Sequence, residues 1–131
     1  MDRKKLLTRL TYLIFFIFFI NLVAMKLYWY YAIWYFDMPM HFLGGVWAAM
    51  VLLWLLPSKN LTPKLVFQVV LGVILIGTAW EVFEFMLDKS IVHNSFNLLD
   101  TLSDFCFDLA GALAYLVFNF RKTTPNKVNT L

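Results

Sequence analysis

Three aspartates, Asp100, Asp104 and Asp108, recur at i, i+4 and i+8, and Gly111 follows three residues later. On a helix these positions form one narrow stripe. Their neighbours are apolar enough for a bilayer, where an aspartate at mid-helix costs roughly 2.5–3.5 kcal/mol. Three on one face call for a compensating partner. Two further groups share that requirement: Asp37 and His41, four residues apart, and Glu81, Glu84 and Asp88, spaced three and four. Such carboxylates either bind cations or stay protonated. Lys26 and Lys89 are too few to neutralise them.

The chemistry this implies is metal binding. Oxygen ligands with one imidazole suit a divalent metal ion, either Mg, Mn or Ca, or a carboxylate-bridged Zn or Fe pair. The expected ligands are Asp37, His41, Glu81, Glu84, Asp100, Asp104 and Asp108. They are numerous enough for two ions, which in two-metal sites lie about 3.5–4 Å apart. Plainer roles stand beside this one. Asp37 and Asp100 could each cap a helix amino end, and His41 could be a hydrogen-bonded packing residue. Asp88 and His93 read as solvated loop groups, and Trp80 as packing. Glu81, Glu84, Asp104 and Asp108 have no such explanation, and intramembrane ionisable groups are usually functional.

Four apolar spans must position these residues. The chain has 131 residues, of which 62% are hydrophobic, 19% aromatic and only 15% charged. About 25% charge is usual in a soluble domain, so this is membrane composition. The expected fold is all-α: a polytopic four-transmembrane-helix bundle forming a single integral membrane domain over residues 1–131. The helices are expected at about 6–25, 38–56, 64–87 and 98–120. A retained first helix is preferred to a cleaved signal peptide, because the run is long and Leu22-Val23-Ala24 is a poor cleavage site. Asn21 is the strongly polar residue within it. The second helix should start before Met40, with Pro39 in its first turn. Residues 27–36 hold seven aromatics in ten and read as an interfacial segment, or as a stacking platform beside the acids. Residues 121–131 read as a flexible polar tail.

Charge placement orients the bundle. With four spans, both termini and the middle loop share one side, and that side holds nine of the eleven basic residues. The positive-inside rule makes both termini cytoplasmic. Seven of the eight acids then fall toward the outer side. At 1.5 Å per residue Asp108 lies roughly 15 Å below the start of its helix. Gly44, Gly45 and Ala48, then Gly77 and Gly111, extend the acidic faces with residues that let helices approach closely.

Several chemistries are excluded. The net charge of +3 flanks apolar runs and builds no basic face, which argues for no nucleic acid partner. Cys106 is the single cysteine, so there is no disulfide framework or cysteine zinc cage. It points off the acidic stripe, as does Ser103. No glycine-rich phosphate loop, His-Glu-x-x-His run or serine nucleophile elbow occurs.

Taken together, Asp37-Met-Pro-Met-His41-Phe-Leu-Gly-Gly45, Trp80-Glu81-Val-Phe-Glu84-Phe85 and Leu99-Asp100-Thr-Leu-Ser-Asp104-Phe-Cys-Phe-Asp108-Leu-Ala-Gly111-Ala112 resemble the YjdF-like inner-membrane proteins. More loosely they are similar to the VanZ-like group, which shares an Asp-x-x-x-His opening and a late Asp followed by Gly-Ala. The resemblance spans roughly Asp37 to Leu116. The YjdF-like family brings no established activity. The VanZ-like group, linked to glycopeptide (teicoplanin) resistance, implies an envelope role in the bacterial cytoplasmic (inner) membrane.

The leading expectation is therefore an outward-facing, carboxylate-rich metal site between helices two, three and four. It would serve a metal-dependent hydrolase or transferase acting on a membrane lipid or lipid-linked envelope substrate, with metal-bound water as nucleophile. One alternative is a cation or proton transporter using the acidic stripe, although no acids continue below Asp108. The other is a structural or regulatory membrane protein whose metal only ties helices together.

Overall fold

The computed structural model describes residues 2–56, 58–91 and 97–121. His93 with the polar residues around it, and the tail beyond Arg121, lie outside the described residues, as do the side chains of Asp88 and Lys89. All regular structure among the described residues is helical. In chain order come α1 (Arg3–Lys26), α2 (Trp29–Ala32), α3 (Asp37–Leu55), α4 (Pro63–Ile91) and α5 (Leu98–Arg121). α1, α3, α4 and α5 are each long and apolar enough to cross a membrane.

Local chemistry explains the helix ends. α1 begins at Arg3, ahead of the apolar run, because the Asp2 carboxylate accepts from the Lys4 and Lys5 amides and draws the basic head into the helix. It ends where Tyr28 adopts φ 58, a left-handed conformation uncommon for a bulky residue. That reversal turns the chain into α2, where Phe36 takes edge-on contacts from Trp29 and Tyr30 at 5.5 and 5.1 Å. α3 starts at Asp37, so Pro39 lies in its first turn, where its missing N–H costs nothing. The Thr62 hydroxyl accepts from the Leu65 amide at the start of α4, and Asn97 Oδ1 accepts from the Leu99 amide at the start of α5.

Residues buried every three or four positions set the packing. On α3 they are His41, Gly45, Ala48, Ala49 and Leu53; on α5, Asp104, Asp108, Gly111, Ala112, Leu116 and Phe120. α4 continues the period with Leu65, Val69, Val73 and Gly77. The closest crossing joins α3 and α5. A Cβ on Gly45 would lie 2.7 Å from Asp108 Cα, and one on Gly111 would lie 3.1 Å from the Val46 amide nitrogen. Only glycine permits so close an approach at both positions.

The interior is divided by height. Toward the Arg3 end, Ala49, Leu53, Val69, Val73 and Leu116 make a dry apolar core. Toward the Asp37 end, the buried polar residues His41, Asp104 and Asp108 rest on it. α1 is peripheral. It packs chiefly on α3, where the Trp47 indole N–H donates to the Leu10 carbonyl at 3.1 Å. Phe16 and Phe19 on its far side face outward. Arg3 pins its start by donating to the Trp54 carbonyl at 3.1 Å while lying over the Trp54 ring.

Candidate functional site

His41 is the hub. It stands on the buried face of α3, one turn below Asp37, and the α3–α5 crossing presses Asp104 and Asp108 toward it. Its Nε2 lies 3.7 Å from Asp37 Oδ1 and 3.7 Å from Asp104 Oδ1, and its Nδ1 lies 3.5 Å from Asp108 Oδ1. One buried imidazole thus meets three carboxylates on two helices. Gly77 leaves room for Asp108, whose Oδ2 would lie 3.0 Å from a Cβ there, while a Cβ on Gly44 would meet Asp108 Oδ1 at an ordinary 3.7 Å.

α4 supplies the other side. Among the described residues, two constellations have suitably close ligand atoms, Asp37–His41–Asp104 and His41–Glu81–Glu84, each with its atoms within 4.8 Å of one another. Ligands of one ion bound at about 2.0–2.6 Å are separated by no more than about twice that length. Both constellations meet this condition at the longer bond lengths of about 2.4–2.6 Å, and they share His41. Glu81 Oε1 is sealed from solvent and has no hydrogen-bond partner among the described residues. A buried carboxylate oxygen without a partner carries a desolvation cost of several kcal/mol, so a counter-ion or proton is the chemistry this donor set fits.

The remaining expected ligands fall differently. Asp108 contacts His41 from the side of the α3–α5 crossing. Asp100 is exposed and belongs to neither constellation. Neither Asp37 nor Asp100 is a side-chain N-cap, but both lie in the first turn of their helices, where a carboxylate meets the positive end of the helix dipole. The residue before α3 is Phe36, with no side-chain cap, and Asn97 serves the start of α5. Cys106 is exposed.

Beside the hub is a cavity of about 640 Å³. Its floor is α3, its walls are α1 and α4, and Asp37, His41, Glu84 and Asp108 line one end. Two of its residues carry no obvious sequence signal for function. The Tyr30 hydroxyl, from the aromatic segment, donates to Asn21 Oδ1 at 2.6 Å, and both side chains line the cavity. Burial, reinforced by the Asp37 and Glu84 carboxylates, pushes the Tyr30 phenol up to about 12. It therefore remains a neutral donor. Asn21 was visible only as a polar interruption of α1, and Tyr30 was one aromatic among seven.

No curated protein and no solved structure matches this chain. A family model described as a predicted membrane protein (DUF2238) matches residues 1–124, nearly the whole sequence. The chain carrying this buried His–carboxylate hub among four membrane-spanning helices belongs to the DUF2238 family of predicted membrane proteins.

Proposed function

We propose that the hub binds a divalent metal ion and serves hydrolysis or group transfer on a membrane lipid or lipid-linked substrate. The observation that carries the reading is the partnerless, sealed Glu81 Oε1 within a residue set whose ligand atoms converge on His41. Glu81, Glu84, Asp104 and Asp37 would supply oxygen ligands, with His41 as nitrogen ligand or proton carrier. Asp108 would orient the imidazole through its other nitrogen, as carboxylates do for metal-binding histidines. A bound ion would supply Lewis-acid chemistry and an activated water.

The distribution of polar groups favours a local centre over a path across the membrane. Among the described residues, the buried polar ones all lie at the Asp37 end, and below them the interior is closed by apolar side chains. A transport path would need further polar groups there. The basic residues clustered at the opposite end support a cytoplasmic location for both termini and an outward-facing hub. The resemblance to YjdF-like and VanZ-like proteins supports the bacterial inner membrane and an envelope substrate.

The test is metal content. Protein purified in mild detergent is measured by plasma mass spectrometry beside Glu81→Gln and an Asp104→Asn, Asp108→Asn double variant. Near-stoichiometric metal that disappears in both variants is the expected result. Absence of metal, with a melting temperature indifferent to added divalent ions, refutes the reading and brings proton binding forward.

A further inference from the structure

The cavity beside the hub has the form of an amphiphile's site. Along α1 it extends from Ile14 to Asn21, roughly 10 Å at 1.5 Å per residue. Its walls over that length are apolar: Ile14, Ile17 and Phe18 on one side, Val73 and Ile76 on the other. Its polar end is compact, with the hub carboxylates on α3 and α4 and the Tyr30–Asn21 pair above them. The volume of about 640 Å³ lies within the usual range for small-molecule sites of about 300–1,000 Å³. Because α1 rests on α3 and the cavity is lined from both α1 and α4, it lies along a seam between two membrane-spanning helices. A molecule already in the bilayer can reach it without leaving the hydrocarbon.

The lining specifies the head group as well as the tail. Among the described residues it contains no lysine or arginine, so an anionic head has no direct basic partner among them. A divalent ion held by carboxylates supplies one, since such ions characteristically bridge protein carboxylates to substrate phosphates. We infer that the α1–α3–α4 cavity binds a phosphorylated membrane lipid. One apolar chain lies between Ile17 and Ile76, and the phosphate meets the hub through its metal ion. This inference rests on the metal reading above and adds the substrate class and its route of entry. The Tyr30 hydroxyl, by donating to Asn21 Oδ1, orients the Asn21 amide so that its N–H can donate to a phosphate oxygen at the mouth.

The experiment uses the full chain in lipid nanodiscs and an alkyl phosphate carrying a diazirine in mid-chain, with Mn²⁺ present. Photolabelled peptides are mapped, and metal content is measured on the same samples. Labelling is expected on the cavity faces of α1 and α4. Ile76→Trp, which fills the cavity, should lower it by about tenfold, equivalent to about 1.4 kcal/mol. Leu75→Trp, one residue along and outside the lining, should leave it unchanged. Ile17→Trp repeats the block from the opposite wall. A chelator should abolish site labelling, and unlabelled alkyl phosphate should compete better than an alkyl trimethylammonium. Metal retained with labelling spread evenly over the lipid-facing surface, or unaffected by either blocking variant, overturns the lipid site and leaves the metal centre standing. Site labelling that survives chelation, or is displaced best by the ammonium compound, overturns metal-bridged phosphate recognition. Absence of bound metal overturns both readings.

Discussion

Replacing Gly45 by alanine should damage the hub without touching any of its side chains. The added Cβ would lie 2.6 Å from the Asp108 carbonyl carbon, with the carbonyl oxygen closer still, whereas ordinary contact begins at 3.4 Å. The shortfall at the carbon alone is about 0.8 Å, and the obstructing atoms are α5 backbone, which cannot rotate aside. α5 must therefore shift away from α3. A shift of that size carries the 3.5 Å contact between His41 Nδ1 and Asp108 Oδ1 past 4 Å. Overpacking of this kind costs about 1–3 kcal/mol, while alanine regains about 0.5–1 kcal/mol of helix-interior preference. The clash wins, leaving a net loss of about 1–2 kcal/mol. Gly44→Ala is the internal control, because its Cβ would meet only Asp108 Oδ1 at an ordinary 3.7 Å. It should be neutral or slightly stabilising. Thermal unfolding in detergent, run beside metal affinity, separates the two. Gly45→Ala should lower both and Gly44→Ala neither. Equal behaviour of the two neighbours would refute the close-crossing argument.

Gly111→Ala should reproduce the Gly45→Ala loss, since its Cβ would lie 3.0 Å from the Phe42 carbonyl carbon, and the double variant should fall short of additivity because both load one crossing. Asp100→Asn should leave metal content and affinity unchanged, because Asp100 is exposed and outside both ligand constellations; a loss matching Asp104→Asn would bring it back into the site. Ultraviolet titration of wild type against Tyr30→Phe should show one phenol ionising near pH 12. Since that value is raised above the unfolded one of about 10, the Tyr30 contribution to stability is complete below pH ~10 and is lost as pH rises through the folded value. Asp2→Ala removes the side-chain acceptor at the start of α1 and should cost about 1 kcal/mol, read as a lower melting temperature with unchanged metal binding.

Much of this arrangement is written in one dimension. The number and approximate length of the long helices follow from apolar runs matched to bilayer thickness, which any stretch of about 20 residues reveals alone. Periodicity is equally local. Asp104, Asp108 and Gly111 share a face of α5, and Gly77, Glu81 and Glu84 share one of α4, whatever packs against them. The aspartate stripe, however, does not distinguish its members. Asp104 and Asp108 lie deep against α3 while Asp100, on the same stripe, stays exposed, because burial depends on where the partner helix crosses. That crossing is set by Gly45 and Gly111 meeting the opposite backbone, a fit between residues 66 positions apart that neither helix expresses alone. His41 became the hub for the same reason: its spacing from Asp37 is local, but its contacts with Asp104 and Asp108 exist only across the crossing. The cavity is more remote still from sequence pattern. It arises because α1 leans on α3 through Trp47 and leaves a seam beside α4, and because a left-handed turn at Tyr28 brings Tyr30 back to Asn21. Helix formation is decided by neighbours along the chain, whereas the rotation and separation of helices are decided by which side chains are absent at the points where they touch.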